Sequence, residues 1–235
     1  MDRLDAAAPH AVITGVSSGI GQAIAQRLLA EGWRITGLSR SPVADTHPRL
    51  RLLQADLADT EALPSVCDRI TESGVPVQAF IHAAGFMRTA PLGALHSAQG
   101  QAMWRVHVLA AEVLANALLP HMPDGARIVL IGSRTANGSP TRSQYAATKA
   151  ALVGLVRSWA LELGPRGITA NVIAPGATDT PFLRDPARAQ TAPKMPLIGR
   201  LVRPEEVAAL AAFLVGPHGG AMTGQHLVMC GGASL

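Results

Sequence analysis

The chain has 235 residues, enough for one α/β unit with a sizeable core, and its 48% hydrophobic and 15% charged residues fit a compact, heavily buried protein. Its formal charge of +4 and pI near 9.8 come from scattered arginine, with no Lys/Arg run interleaved with aromatics, which argues against nucleic acid as a partner. Cys67 and Cys230, the two cysteines, are too few and too far apart for a disulfide framework or a metal site. The first ten residues carry Asp2, Arg3 and Asp5 and no apolar leader segment, and the longest uncharged apolar stretch, 207–215, is too short to span a bilayer. A soluble, cytoplasmic protein with no membrane partner and no metal is the expectation.

Short apolar runs alternate with longer helix-like stretches. Strands are predicted over 11–14, 34–38, 50–54, 78–82, 127–131, 169–173 and 227–229, and helices over 20–31, 60–71, 97–119, 143–163 and 205–214. Such alternation predicts an α/β fold, a parallel sheet with helices on both faces. Directly after the first strand comes Thr14-Gly15-Val16-Ser17-Ser18-Gly19-Ile20-Gly21. Glycines there let the backbone turn tightly and let a dinucleotide diphosphate reach the N–H groups of the opening helix; a plain structural turn is the bland reading. The second strand ends at Leu38-Ser39-Arg40. An acid that would hold a ribose 2′-hydroxyl is missing, and an arginine suits a 2′-phosphate. NADP(H) is therefore favoured and NAD(H) left open, with Arg40 as an ordinary surface residue the alternative.

The stretches 97–119 and 145–163 are apolar or small nearly all round, so each needs cover beyond the sheet. Another copy of the chain can supply it, and a homo-oligomer, dimer or tetramer, is expected. The second stretch holds the only tyrosine, Tyr145, four positions before Lys149, one of two lysines among 20 basic residues. Spacing of four puts phenol and ammonium on one helix face, one turn apart. A free phenol titrates near pH ~10, so bringing it toward neutrality asks roughly 3 to 4 kcal/mol of the surrounding positive charge. The rival reading is a tyrosine anchoring the helix start while the lysine reaches for water. Farther on, Pro204-Glu205-Glu206 opens the last helix, since proline suits the first turn and acids its positive end.

The glycine motif and Tyr145-Ala146-Ala147-Thr148-Lys149, together with Asp56-Leu57, His82-Ala83-Ala84-Gly85, Ser133, Asn171 to Gly176 and Gly231-Gly232, occur in the order found in the short-chain dehydrogenase/reductase family, which the chain resembles from first strand to last residues. The resemblance implies a Rossmann-like, doubly wound, seven-stranded parallel sheet in a single domain. It implies hydride transfer between a nicotinamide and a small-molecule carbonyl or secondary alcohol, with Tyr145 as general acid or base, Ser133 binding the reacting oxygen, and Lys149 binding the nicotinamide ribose and lowering the tyrosine pKa. Gly15, Ser17, Ser18, Gly19, Ile20 and Gly21 would hold the diphosphate, Ser39 and Arg40 the 2′-phosphate, Asp56 and Leu57 the adenine, Ala83, Ala84 and Gly85 the neighbouring ribose, and Pro175, Gly176, Thr178 and Thr180 the carboxamide.

The chain departs from the family pattern at three points. His82 replaces an asparagine that chiefly supports the sheet. His107 replaces an asparagine whose backbone carbonyl serves a proton relay, and an imidazole adds its own titration near pH 6.5; a satisfied buried histidine and a relay group are equally open readings of it. The Ser133 to Tyr145 spacing is one residue shorter than is common, so the intervening loop is expected to shape the pocket unusually. Specificity is expected in the loop at about 176–203. Within 179–203, Arg184, Arg188, Lys194, Arg200 and Arg203 stand against Asp179 and Asp185, a balance of +3, and Arg134 and Arg142 precede the tyrosine. These charges either steer an anionic substrate such as a carrier-bound 3-oxoacyl group or form a solvated basic lid. Ketones, sugars and 3-oxoacyl thioesters are the candidate substrates. The alternative from another class is a non-catalytic NADP-binding redox sensor or interaction protein, disfavoured because Ser133, Tyr145 and Lys149 are all present.

Overall fold

The computed structural model describes residues 8–41, 47–184 and 194–235. Seven strands, β1 His10–Thr14, β2 Arg34–Ser39, β3 Leu50–Gln54, β4 Ala79–His82, β5 Arg127–Ile131, β6 Thr169–Pro175 and β7 His226–Met229, form one sheet in the order β3-β2-β1-β4-β5-β6-β7. Every neighbouring pair is parallel. Parallel pairing forces the chain back across the sheet between strands. The helices α1 Gly19–Ala30, α2 Leu63–Thr71, α3 Ser97–Trp104, α4 Ala110–Leu118, α5 Ser143–Leu163 and α6 Pro204–Val215 occupy those crossovers.

Strand side chains alternate between two cores. Val12, Phe80, Ile128 and Ala170 lie in register across β1, β4, β5 and β6 and pack with α2, α4 and α5. One position on, Ile13, Ile81 and Val129 form the opposite row and pack with α1 and α6. Burial on both faces explains why these strands read as unbroken apolar runs. Most predicted bounds agree within two residues, with two informative exceptions. The helix expected over 60–71 begins only at Leu63, because Asp59 first closes a turn on the Ala62 N–H and Pro64 then occupies the first helical turn.

The helix expected over 97–119 is interrupted by a π-helical turn, Arg105–Leu109. Its cause is visible in the hydrogen bonds: the Ala110 N–H bonds the Arg105 carbonyl, and the Val106 carbonyl accepts the His82 Nε2–H at 3.0 Å. A side chain inserted into the helical ladder is one of the few causes of such a turn. The run Ser97–His121 is by length and composition long and apolar enough to cross a membrane, with mean hydropathy 1.3, but Val108, Ala111, Leu114 and Leu118 pack it against the sheet.

The chain runs outward from β1 to β3 and returns to β4 on the other side of β1. Loops leaving β1 and β4 therefore diverge, and a crevice opens at the carboxyl ends of the strands. The loop after β6 leaves and returns through a parallel bridge between Thr178 and Val202, with Asp179 N–H to Val202 O and Val202 N–H to Ala177 O both at 2.9 Å. Asp185 and Arg188 lie outside the described residues.

Candidate active site

The crevice is a cavity of about 440 Å³ walled by the loops after β1 to β6. At one end lies the turn from β1 into α1. Gly15 has φ +76°, and a Cβ there would stand 2.9 Å from the Ala84 backbone; a Cβ on Gly21 would stand 2.3 Å from the Gly15 carbonyl oxygen. The turn thus closes against both the β4 loop and itself, leaving a bare cradle that side chains would fill. Ser18 caps α1 without a side-chain hydrogen bond and the first turn holds no acid, so nothing of its own neutralises the helix's positive end. A diphosphate fits there. Ser39, Arg40, Asp56 and Leu57 continue this wall, with Arg40 exposed and Asp56 Oδ1 accepting the Ala58 N–H at 3.0 Å.

The middle is held by hydroxyls and imidazoles that sequence reasoning undervalued. Thr14 Oγ1 accepts the N–H groups of Ala83 and Ala84 at 3.0 and 3.1 Å. Because His82 Nε2 donates to Val106, its Nδ1 accepts the Thr14 hydroxyl proton at 3.0 Å. His82 therefore ties β1, β4 and the π turn together, as a sheet-supporting role requires. Thr14 carried a signal in the sequence, as the last strand residue before a glycine turn.

At the other end Ser133, Tyr145 and Lys149 line the same cavity, and all three are buried. Ser133 lies two residues past the end of β5 and its Oγ lies 2.9 Å from Thr135 Oγ1. Tyr145 and Lys149 share a face of α5 as their spacing predicts, the ammonium 5.8 Å from the phenol ring centre. Lys149 Nζ donates to the Ile131 carbonyl at 2.8 Å, and burial pulls its pKa down to about 7.

His107 is buried between two partners. The Phe86 N–H donates to its Nε2 at 3.1 Å, so Nδ1 carries the proton and donates to Thr148 Oγ1 at 2.8 Å. The Thr148 hydroxyl in turn donates to the Tyr145 carbonyl at 2.8 Å. The expected titration near pH 6.5 is corrected: burial first, then the charges of Lys149 and His82, push the His107 pKa well below that value. Both ring nitrogens are engaged, and the imidazole is neutral at physiological pH. Thr148 was missed, although its place three residues after Tyr145 put it on that face.

The charges of the basic loop divide between ion pairs and the cavity wall. Arg184 pairs with Asp179 at 2.8 Å, and Arg200 and Arg203 pair with Glu206, just past the stretch whose balance was +3. Among the described residues, the cations that line the cavity are Arg40, Arg134, Arg142, Lys149 and Lys194. Phe86, Met87 and Phe182 supply apolar wall beside Tyr145; they come from distant segments and carried no sequence signal.

A family model described as enoyl-(acyl carrier protein) reductase matches residues 15–234. A short-chain dehydrogenase from Burkholderia cenocepacia, solved in complex with NADP, is 35% identical with a TM-score of 0.86 and covers 100% of both chains. A blue fluorescent protein from a metagenomic library, solved with NADPH, is 32% identical with a TM-score of 0.87 over 97% of this chain and 98% of that one. The 3-oxoacyl-(acyl-carrier-protein) reductase of Vibrio cholerae is 30% identical over 94% of this chain and 96% of its own length.

Proposed function

The chain belongs to the short-chain dehydrogenase/reductase family, and from that premise we propose that it is an NADP(H)-dependent reductase of ketones or 3-oxoacyl thioesters. The observation that carries this is the placement of Ser133, Tyr145 and Lys149 on one wall of the cavity whose other end is the glycine cradle. Gly15 to Gly21 would hold the diphosphate and Arg40 a 2′-phosphate, supported by the exposed guanidinium and by bound NADP or NADPH in two similar structures. When bound, NADP(H) supplies or takes the hydride. Ser133 Oγ hydrogen-bonds the carbonyl oxygen, and Tyr145 gives that oxygen its phenolic proton, or removes it when an alcohol is oxidised. Lys149 as an ammonium favours the phenolate left behind. Apolar wall from Phe86, Met87 and Phe182 excludes water around the reacting carbon.

The test is a fluorescence titration with NADPH and NADH followed by turnover on a panel of ketones, sugars and 3-oxoacyl thioesters. Tight NADPH binding, turnover, and a loss of roughly 10²- to 10⁴-fold in Tyr145→Phe with binding retained are expected. Binding without turnover on the whole panel would sink the reductase reading in favour of a redox sensor.

A further inference from the structure

The substrate end of the cavity is cationic and lacks a counter-charge. Of the described residues that line the whole cavity only Asp56 is acidic, and it belongs to the glycine-turn end. Arg142, three residues before Tyr145 and half-buried, lines the cavity, and its Nε is shut off from water with no hydrogen-bond partner, which costs stability. Arg134 and Lys194 converge on one backbone carbonyl, that of Ala233, at 3.5 and 3.4 Å. Those long contacts leave most of their donor capacity unused. Arg142 feels the charges of both Arg134 and Tyr145, so the two guanidiniums lie within electrostatic reach of each other and of the phenol.

The loop that delivers Arg142 is itself strained. Thr141 has φ +63°, the one non-glycine residue with positive φ among the described residues, and a β-branched side chain tolerates that conformation poorly. Its carbonyl is pinned by the Ala90 N–H at 2.9 Å. The short spacing between Ser133 and Tyr145 is thus spent on turning Arg142 toward the cavity. Like charges gathered without an acid in a partly closed site are unfavourable alone and become favourable when an anion arrives.

We propose that Arg142, assisted by Arg134 and Lys194, forms an anion subsite beside Tyr145, and that the substrate is a carbonyl compound bearing a carboxylate or phosphate on an apolar stem. This rests on the reductase reading for the carbonyl, but not for the anion. A guanidinium offers paired donors that match either anion. Phe86, Met87 and Phe182 accommodate the stem.

Two matched pairs test it with NADPH: acetoacetate against methyl acetoacetate, and 3-oxobutanoyl-CoA against the neutral 3-oxobutanoyl-N-acetylcysteamine. The wild type should prefer the anionic member of at least one pair by tenfold or more in kcat/KM, and which pair shows it identifies carboxylate or phosphate. Arg142→Gln should reduce that ratio at least tenfold, chiefly through KM, and Arg142→Lys should restore part of it. Turnover of neutral members with no charge preference in either pair overturns the subsite and leaves the reductase reading standing. If Arg142→Gln slows both members alike and moves the pH profile, the arginine acts on Tyr145 and the subsite is likewise overturned. If nothing turns over, calorimetric titration of acetoacetate and inorganic phosphate into the NADPH-loaded wild type and Arg142→Gln decides the subsite alone: binding lost in the variant supports it, and equal or absent binding in both overturns it.

Discussion

Lys149 shows what burying an ammonium costs a fold. Its ammonium is buried on a single carbonyl, and the pKa of about 7 means that folding works against the charged form. Below pH 7 the side chain is charged in both states and the penalty, of the order of several kcal/mol, is present in full; as pH rises from 7 to the unfolded value near ~10.4 the penalty fades, so stability from this group grows with pH. Lys149→Met should therefore raise the Tm of the cofactor-free protein at pH 6, with a gain that shrinks toward pH 10, while carbonyl reduction is lost; calorimetry beside activity assays checks both. His107 makes the opposite case, a titratable group whose proton is fixed by its neighbours. His107→Ala would orphan the buried Phe86 N–H and remove the donor to Thr148 Oγ1, at about 2 to 4 kcal/mol measured by urea unfolding. His107→Asn retains an acceptor and a donor and should recover much of that. The kcat profile of the wild type should show no step near pH 6.5 attributable to this imidazole. Arg40→Asp should reverse the preference between NADPH and NADH by tenfold or more in fluorescence titrations.

At the level of elements, the turn from β1 into α1 is the most tightly packed piece of the site. Gly21→Ala drives a methyl into the Gly15 carbonyl at 2.3 Å, and NADPH affinity should fall at least tenfold while α1 itself remains, which titration and circular dichroism separate. This turn was also the most legible piece of sequence, since glycine spacing reports a backbone that must come close to something. All seven strands were legible for a related reason: buried parallel strands are apolar throughout, so their runs stand out even where their ends do not. The breaks in helices were not legible. The π turn depends on His82, more than 20 residues away in sequence, reaching the Val106 carbonyl, and no local pattern reports a distant donor. The loop's charge balance overstated its unpaired charge, because Glu206, which pairs with Arg200 and Arg203, lies just beyond it. Arg142 was legible as a charge, and its place on the cavity wall and its orphaned Nε set it apart from the paired arginines.

For the molecule as a whole, α5 presents an outward stripe of Ala147, Ala150, Gly154, Ser158 and Leu161, all exposed, with Leu161 at 83%. Small residues at helical spacing allow another helix to approach closely, and we expect this stripe to meet its copy in a homo-oligomer. Light scattering should give a multiple of the 24.4 kDa chain mass, and Gly154→Arg should reduce it; a monomeric wild type would refute the expectation. The π turn gains a different meaning at this scale. One surplus residue between α3 and α4 advances the angular phase of everything before it by about 100° relative to an unbroken helix. That offset is what lets Met103 look toward Tyr145 while Leu114 looks toward the sheet and Trp104 looks outward. Deleting a single residue from 105–109 would yield a more regular helix and a scrambled protein, because one rotation sets the substrate wall and the outer surface together.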